Sequence, residues 1–221
     1  MGAPASQKRV AVLISGRGSN LGALINASQQ GQLGGELVLV LSNRPDAAGL
    51  ALAAQAGIET AVIDHNAFAD RATFDTALVA RLREANLDLI CLAGFMRILT
   101  PVFTDAFHGQ VLNVHPSLLP DYPGLHTHQR AIDAGDSRGG ASVHYVTGEL
   151  DGGPVVLQAS VPIVPDDTAV QLAARVLQVE HHIFPMAAQW HLSGRLALQN
   201  GQAVLDGKPL PERGAAWETV S

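Results

Sequence analysis

Along the first half of the chain, apolar positions fall into two alternating textures. RVAVLIS from Arg9, ELVLVLS from Glu36, IETAVI from Ile58 and LDLICLAG from Leu87 are short, unbroken apolar runs. Between them, SNLGALINASQQ, AAGLALAAQA and FADRATFDTALVARLREA place apolar residues at helical spacing. A strand that is apolar on both parities is covered on both faces, and each intervening stretch is long enough for a crossover helix. The pattern therefore predicts an α/β fold with a mostly parallel sheet and helices on both sides. GQVLNVH from Gly109 continues the series. GASVHYVT and PVVLQASVPIV then follow too closely for a helix between them and are expected to pair antiparallel.

Thr168 and Gln171 have the spacing of a capping box, and Ala169, Leu172, Val176, Val179, Ile183 and Ala187 form one apolar stripe behind it. This predicts a long helix. Pro185 is expected to kink it, because it lacks the amide that would bond back to residue 181. RLALQNGQAVLDGKPL reads as a hairpin turning at Asn200 and Gly201. The expected organisation is a mobile leader over 1–8, one domain over 9–210 and a tail over 211–221.

A length of 221 residues suits one such domain. No run approaches the roughly 20 apolar residues of a membrane helix, and the leader MGAPASQK lacks a signal-peptide core, so a cytoplasmic protein without a membrane partner is expected. The formal charge is −6, from 14 Lys and Arg against 20 Asp and Glu, with no basic cluster. That removes the electrostatic basis for nucleic-acid binding. Cys91, the single cysteine, lies in the apolar DLICLAGF and is expected to pack as a small hydrophobe.

LISGRGSNLGAL, residues 13–24, joins the first strand to the first helix. A dinucleotide fingerprint needs a third glycine where Leu21 stands, and SNR at Ser42–Arg44 offers no acid for a ribose hydroxyl. A P-loop would need a Gly-Lys pair. What remains is a helix N-terminus at Gly18, Ser19 and Asn20 able to hold one phosphate group. A purely structural turn would look the same at this point.

In LNVH the strand period of two turns Asn113 and His115 to one side and Leu112 and Val114 to the other. Pro116 ends the strand there. An amide and an imidazole thus stand together at a carboxyl end of the sheet, where open α/β folds bind ligands.

LISGRGSN, LAGFMRIL, LNVHPSLLPDYPGLHTH, SVHYV and ELDGGPV, in this order and spacing, resemble the phosphoribosylglycinamide formyltransferase family over residues 9 to about 210. That family has a Rossmann-like sheet without a dinucleotide. It moves a formyl group from 10-formyltetrahydrofolate to the amine of glycinamide ribonucleotide in purine biosynthesis. The resemblance implies a catalytic group of Asn113, His115 and Asp151, in which Asn113 and a protonated His115 stabilise the oxyanion formed from the formyl group. Asp151 would favour the charged imidazole and, through a water, accept the amine proton.

The resemblance further implies that Gly18, Ser19 and Asn20 hold the substrate phosphate, while Leu177, Gln178, Val179 and Glu180 hold the ribose or amine end. Folate falls on Arg71, on Met96, Arg97, Ile98 and Leu99, and on Thr147, Gly148, Glu149 and Leu150. The partners implied are small molecules, with monomer and homodimer both open. No metal is expected, since His126 and His128 have no matching ligand cluster. His144 is expected to line the pocket outside the catalytic set, and His181 and His182 to lie at the helix surface and rim. Methionyl-tRNA formyltransferase and formyltetrahydrofolate hydrolase resemble the catalytic strand too, but SGRGSN and PGLHTH favour the ribonucleotide enzyme. A dehydrogenase or a non-catalytic nucleotide-binding module is the reading from another class.

Overall fold

The computed structural model describes residues 7–218. β1 (Arg9–Ile14), β2 (Glu36–Ser42), β3 (Glu59–Val62), β4 (Leu89–Leu92) and β5 (Val111–His115) are joined through α1 (Ser19–Gln29), α2 (Gly49–Gln55), α3 (Arg71–Glu84) and the short α4 (Pro101–Ala106). These five strands pair in parallel in the order β3-β2-β1-β4-β5. The order reverses beside β1, so the carboxyl ends of β1 and β4 open a crevice between them. After α5 (Thr127–Asp133), β6 (Arg138–Tyr145) pairs antiparallel with β5, and β7 (Val155–Pro162) pairs antiparallel with β6. The expected antiparallel half is therefore present, with its first partner being the strand that carries Asn113 and His115.

Two apolar layers sandwich the sheet. On one face α1 and α6 (Ala169–Leu192) bury Leu21, Leu24, Val176, Ile183 and Phe184 against Val12, Leu112 and Val114. On the other, α3 and α4 bury Phe74, Leu78, Leu82 and Phe103 against Leu13, Leu41 and Ile90. Cys91 is buried in the first layer, and desolvation pushes its thiol far up. The capping box at Thr168 and Gln171 is closed from both sides, and α6 runs unbroken through Pro185. Its long apolar face holds the helix across the missing hydrogen bond. β8 (Leu196–Gln199) and β9 (Gln202–Leu205) form the expected hairpin, with Asn200 and Gly201 both at positive φ, and β10 (Lys208–Pro209) adds a short third strand.

Described residues beyond the 9–210 span also make defined contacts. Lys8 belongs to the fold: its carbonyl accepts from Glu36 N at 2.8 Å, and its ammonium pairs with Asp88 at 2.7 Å. Residues 1–6 of the expected leader and 219–221 of the expected tail lie outside the described residues. Within the supposed tail, Ala215–Trp217 form β11, an edge strand parallel to β7. Trp217 stacks on His182 with ring centroids 5.3 Å apart. Three residues are too few to show a period, and such a strand forms only because β7 offers an open edge. No described helix is long and apolar enough to cross a membrane.

Candidate active site

The β5–β6 register sets the centre of the site. Asn113 lies directly opposite His144, and His115 opposite Ser142. Directly opposed residues are the closest cross-strand neighbours, and Asn113 Nδ2 stands 3.0 Å from His144 Nε2. His144 Nδ1 lies 2.9 Å from the carbonyl oxygen of Tyr145. A carbonyl only accepts, so Nδ1 carries the ring proton and the bare Nε2 accepts from the Asn113 amide. Complete burial lowers the His144 pKa to about 4, which keeps the ring neutral. The Asn113 amide is thereby fixed with its nitrogen toward His144, and its second N–H has no partner among the described residues.

Asp151 closes the group from the turn between β6 and β7. Its φ of 51° is left-handed, a conformation that Asp tolerates better than most residues. One carboxylate oxygen accepts from Gly124 N at 2.9 Å and lies 3.5 Å from His115 Nδ1, while the other is 3.8 Å from His144 Nε2. His115 Nε2 lies 3.0 Å from the carbonyl oxygen of Tyr122 and donates to it. The imidazole is thus held between a carboxylate and a carbonyl. Asn113, His115 and Asp151 come together as expected, and His144 joins them as the fourth member. The strand pattern of SVHYV concealed it, since a histidine in an apolar run reads as part of a wall until the strand register places it opposite Asn113.

At the turn from β1 into α1, Gly18 has φ 81°, and a Cβ there would stand 2.9 Å from Gly49 Cα. Only glycine permits both the left-handed turn and that approach. α1 begins without a side-chain cap, and its first return bond is Gly22 N to Gly18 O at 2.9 Å. The amides of Ser19, Asn20 and Leu21 are therefore open to an anion. The Asn20 side chain is buried and donates to Glu180 at 2.6 Å, which leaves its backbone amide as the group it offers at the helix end. Burial raises the Glu180 pKa, partly opposed by that hydrogen bond. Leu177 is partly buried and Val179 buried, while Gln178 is exposed. A groove of about 730 Å³ runs from Ser19 between α1 and α6, past His181 and Met186. His181 is half-buried there, with no partner for Nε2 among the described residues.

The folate candidates form two loops and a helix start. Met96 and Ile98 are exposed, Arg97 is half-buried over the Phe74 ring at 5.7 Å, and Leu99 is buried. Gly148, Glu149 and Leu150 are exposed in the turn before Asp151, with Thr147 partly buried. Arg71 heads α3, exposed, just after the capping Asp70. Among the described residues no group of three or more His, Cys, Asp or Glu side chains is arranged to hold a metal ion.

The formyl transferase family model matches residues 8–188. The phosphoribosylglycinamide formyltransferases of Haemophilus influenzae and Escherichia coli are each 48% identical to the chain, over 96% and 94% of it and 100% and 98% of themselves. The chain belongs to the phosphoribosylglycinamide formyltransferase family. The solved phosphoribosylglycinamide formyltransferase of Coxiella burnetii superposes with a TM-score of 0.92 at 46% identity, covering 96% of this formyltransferase and all of that one. The match runs through both the parallel half and the hairpin, so the fold around the site belongs to the formyltransferase as a whole.

His144 gives the formyltransferase a pH signature. Its folded pKa lies below the ordinary value of 6.5, so the unfolded chain binds the extra proton first as the pH falls. The stability it contributes is complete above 6.5 and is lost between 6.5 and about 4. Thermal melts over that range are expected to fall less steeply for His144→Gln, whose amide oxygen can still accept from Asn113. Equal slopes for parent and variant would contradict a neutral His144.

Proposed function

We propose that the chain transfers the formyl group of 10-formyltetrahydrofolate to the amine of glycinamide ribonucleotide in purine biosynthesis. The observation that carries this reading is the convergence of Asn113, His115, His144 and Asp151 at the carboxyl end of β5. The names and full-length coverage of the relatives support the choice of substrates. A net charge of −6 favours a small acceptor over a tRNA, and a reducing cytoplasm suits a chain whose one cysteine is buried and free.

In this reaction the amine nitrogen attacks the formyl carbon, and negative charge collects on the formyl oxygen of a tetrahedral intermediate. The free N–H of Asn113 and the protonated His115 donate to that oxygen. Donors fixed before the reaction are worth a few kcal/mol each, because they need no reorganisation as the charge develops. For His115 Nε2 to take part, the Tyr122 carbonyl must give up its hydrogen bond. Asp151 offsets the charge on His115 and, through a water, takes the proton released by the amine. Collapse of the intermediate breaks the bond to folate N10, which receives a proton. No covalent intermediate forms on the protein.

Gly18, Ser19 and Asn20 bind the phosphate through the open end of α1, and Leu177, Gln178, Val179 and Glu180 face the ribose and amine. Arg71, Met96–Leu99 and Thr147–Leu150 receive the folate. Asn20→Ala is expected to raise the ribonucleotide KM by about tenfold, since it leaves a buried carboxyl group without its donor. An effect of Ser19 or Asn20 variants on the folate KM alone would contradict the assignment. Calorimetry tests the reading against its rivals: 5-formyltetrahydrofolate, an unreactive isomer, and glycinamide ribonucleotide should bind, while NAD and ATP should not.

A further inference from the structure

The segment between β4 and α4 is tied at both ends by buried side chains. At its far end Thr100 donates twice to one oxygen of Asp75, from its amide at 2.6 Å and its hydroxyl at 2.7 Å. Asp75 is 0% exposed on α3. At the near end Ser15, 7% exposed, closes the segment through backbone and side chain together. Ser15 N donates to Gly94 O at 3.1 Å, and Met96 N donates to Ser15 Oγ at 2.7 Å.

A hydroxyl rotates freely unless its proton has a fixed acceptor. Here Ser15 Oγ donates to Asn43 Oδ1 at 2.6 Å, inside the protein at the end of β2. Its lone pair is therefore held toward Met96. Between the two anchors, the backbone amides and carbonyls of Arg97, Ile98 and Leu99 have no hydrogen-bond partner among the described residues. Phe95 and Leu99 point inward, while Met96 and Ile98 are 65% and 47% exposed. The result is a short apolar ledge with free donors and acceptors along its spine.

We propose that Ser15 is a positioning residue for the folate subsite, its hydroxyl setting the start of this ledge. The proposal rests on the folate assignment above. Ser15 touches no substrate; it acts through Met96 N. The neighbouring phosphate turn has supports of its own, namely Gly49 N to Gly16 O at 3.0 Å and Gly22 N to Gly18 O at 2.9 Å. Losing the Ser15 hydroxyl is therefore felt on the folate side, although Ser15 directly precedes the phosphate turn in sequence.

Ser15→Ala removes one oxygen and leaves every backbone bond possible. Steady-state kinetics on the full chain should show a rise of about tenfold in the 10-formyltetrahydrofolate KM, with kcat and the ribonucleotide KM within about twofold. Ser15→Thr, which keeps the hydroxyl, should return most of the folate affinity. A lower melting temperature with an unchanged folate KM in Ser15→Ala would overturn the proposal, marking the hydroxyl as structural only. Equal rises in both KM values would also overturn it. If the parent chain shows no saturation with 10-formyltetrahydrofolate, the folate reading itself fails and the proposal with it; saturation in the parent with an indifferent Ser15→Ala sinks the proposal alone.

Discussion

His115→Ala is expected to lower kcat by about a thousandfold, the combined size of losing an oxyanion donor and a proton-carrying group. That corresponds to about 4 kcal/mol of transition-state stabilisation. KM for both substrates should stay within about threefold, because the ring's polar partners among the described residues are Tyr122 and Asp151 and lie in neither the 18–20 turn nor the 96–99 ledge. The substitution also removes one hydrogen bond and leaves a small void at a strand end, so melting should drop by only a few degrees. Steady-state kinetics and a thermal melt on the same preparation separate the two effects. Turnover near that of the parent would remove His115 from the mechanism.

Asp151→Asn should be nearly as costly, lowering kcat by about a hundredfold or more. The replacement is well matched to the site. Asn tolerates the left-handed backbone at this position, and its amide oxygen can still accept from Gly124 N, so the turn persists while the charge is lost. What disappears is the anion 3.5 Å from His115 Nδ1 and, in the proposed mechanism, the acceptor for the amine proton. An unchanged kcat in Asp151→Asn would leave Asp151 as a turn former alone. The deficits of the two substitutions should not add in the double variant, since both act through the same imidazole.

The sheet was legible from its alternating pattern because each parallel strand is covered on both faces and each crossover has room for a helix. The pairing of Asn113 with His115 was legible for a similar reason: a period of two is a local property of any strand. Asp151 was not legible in this way. ELDGGP is an ordinary turn by composition, and only the resemblance singled it out. His144 was legible as a pocket-lining residue, but its pairing with Asn113 comes from the register between β5 and β6, which no single strand encodes. The Asn20–Glu180 bond joins residues 160 positions apart, so no local pattern could show that this side chain is held by α6. β11 exists by virtue of an open sheet edge. Each of these depends on contacts distant in sequence, which no local pattern encodes.

The most direct test offers the purified chain 10-formyltetrahydrofolate with three acceptors in parallel: glycinamide ribonucleotide, water alone and methionyl-tRNA. Mass spectrometry of the products should show formylated ribonucleotide formed one-for-one with tetrahydrofolate, and negligible product in the other two reactions. Formate released at a comparable rate without the ribonucleotide, or formyl groups appearing on the tRNA, would contradict the account.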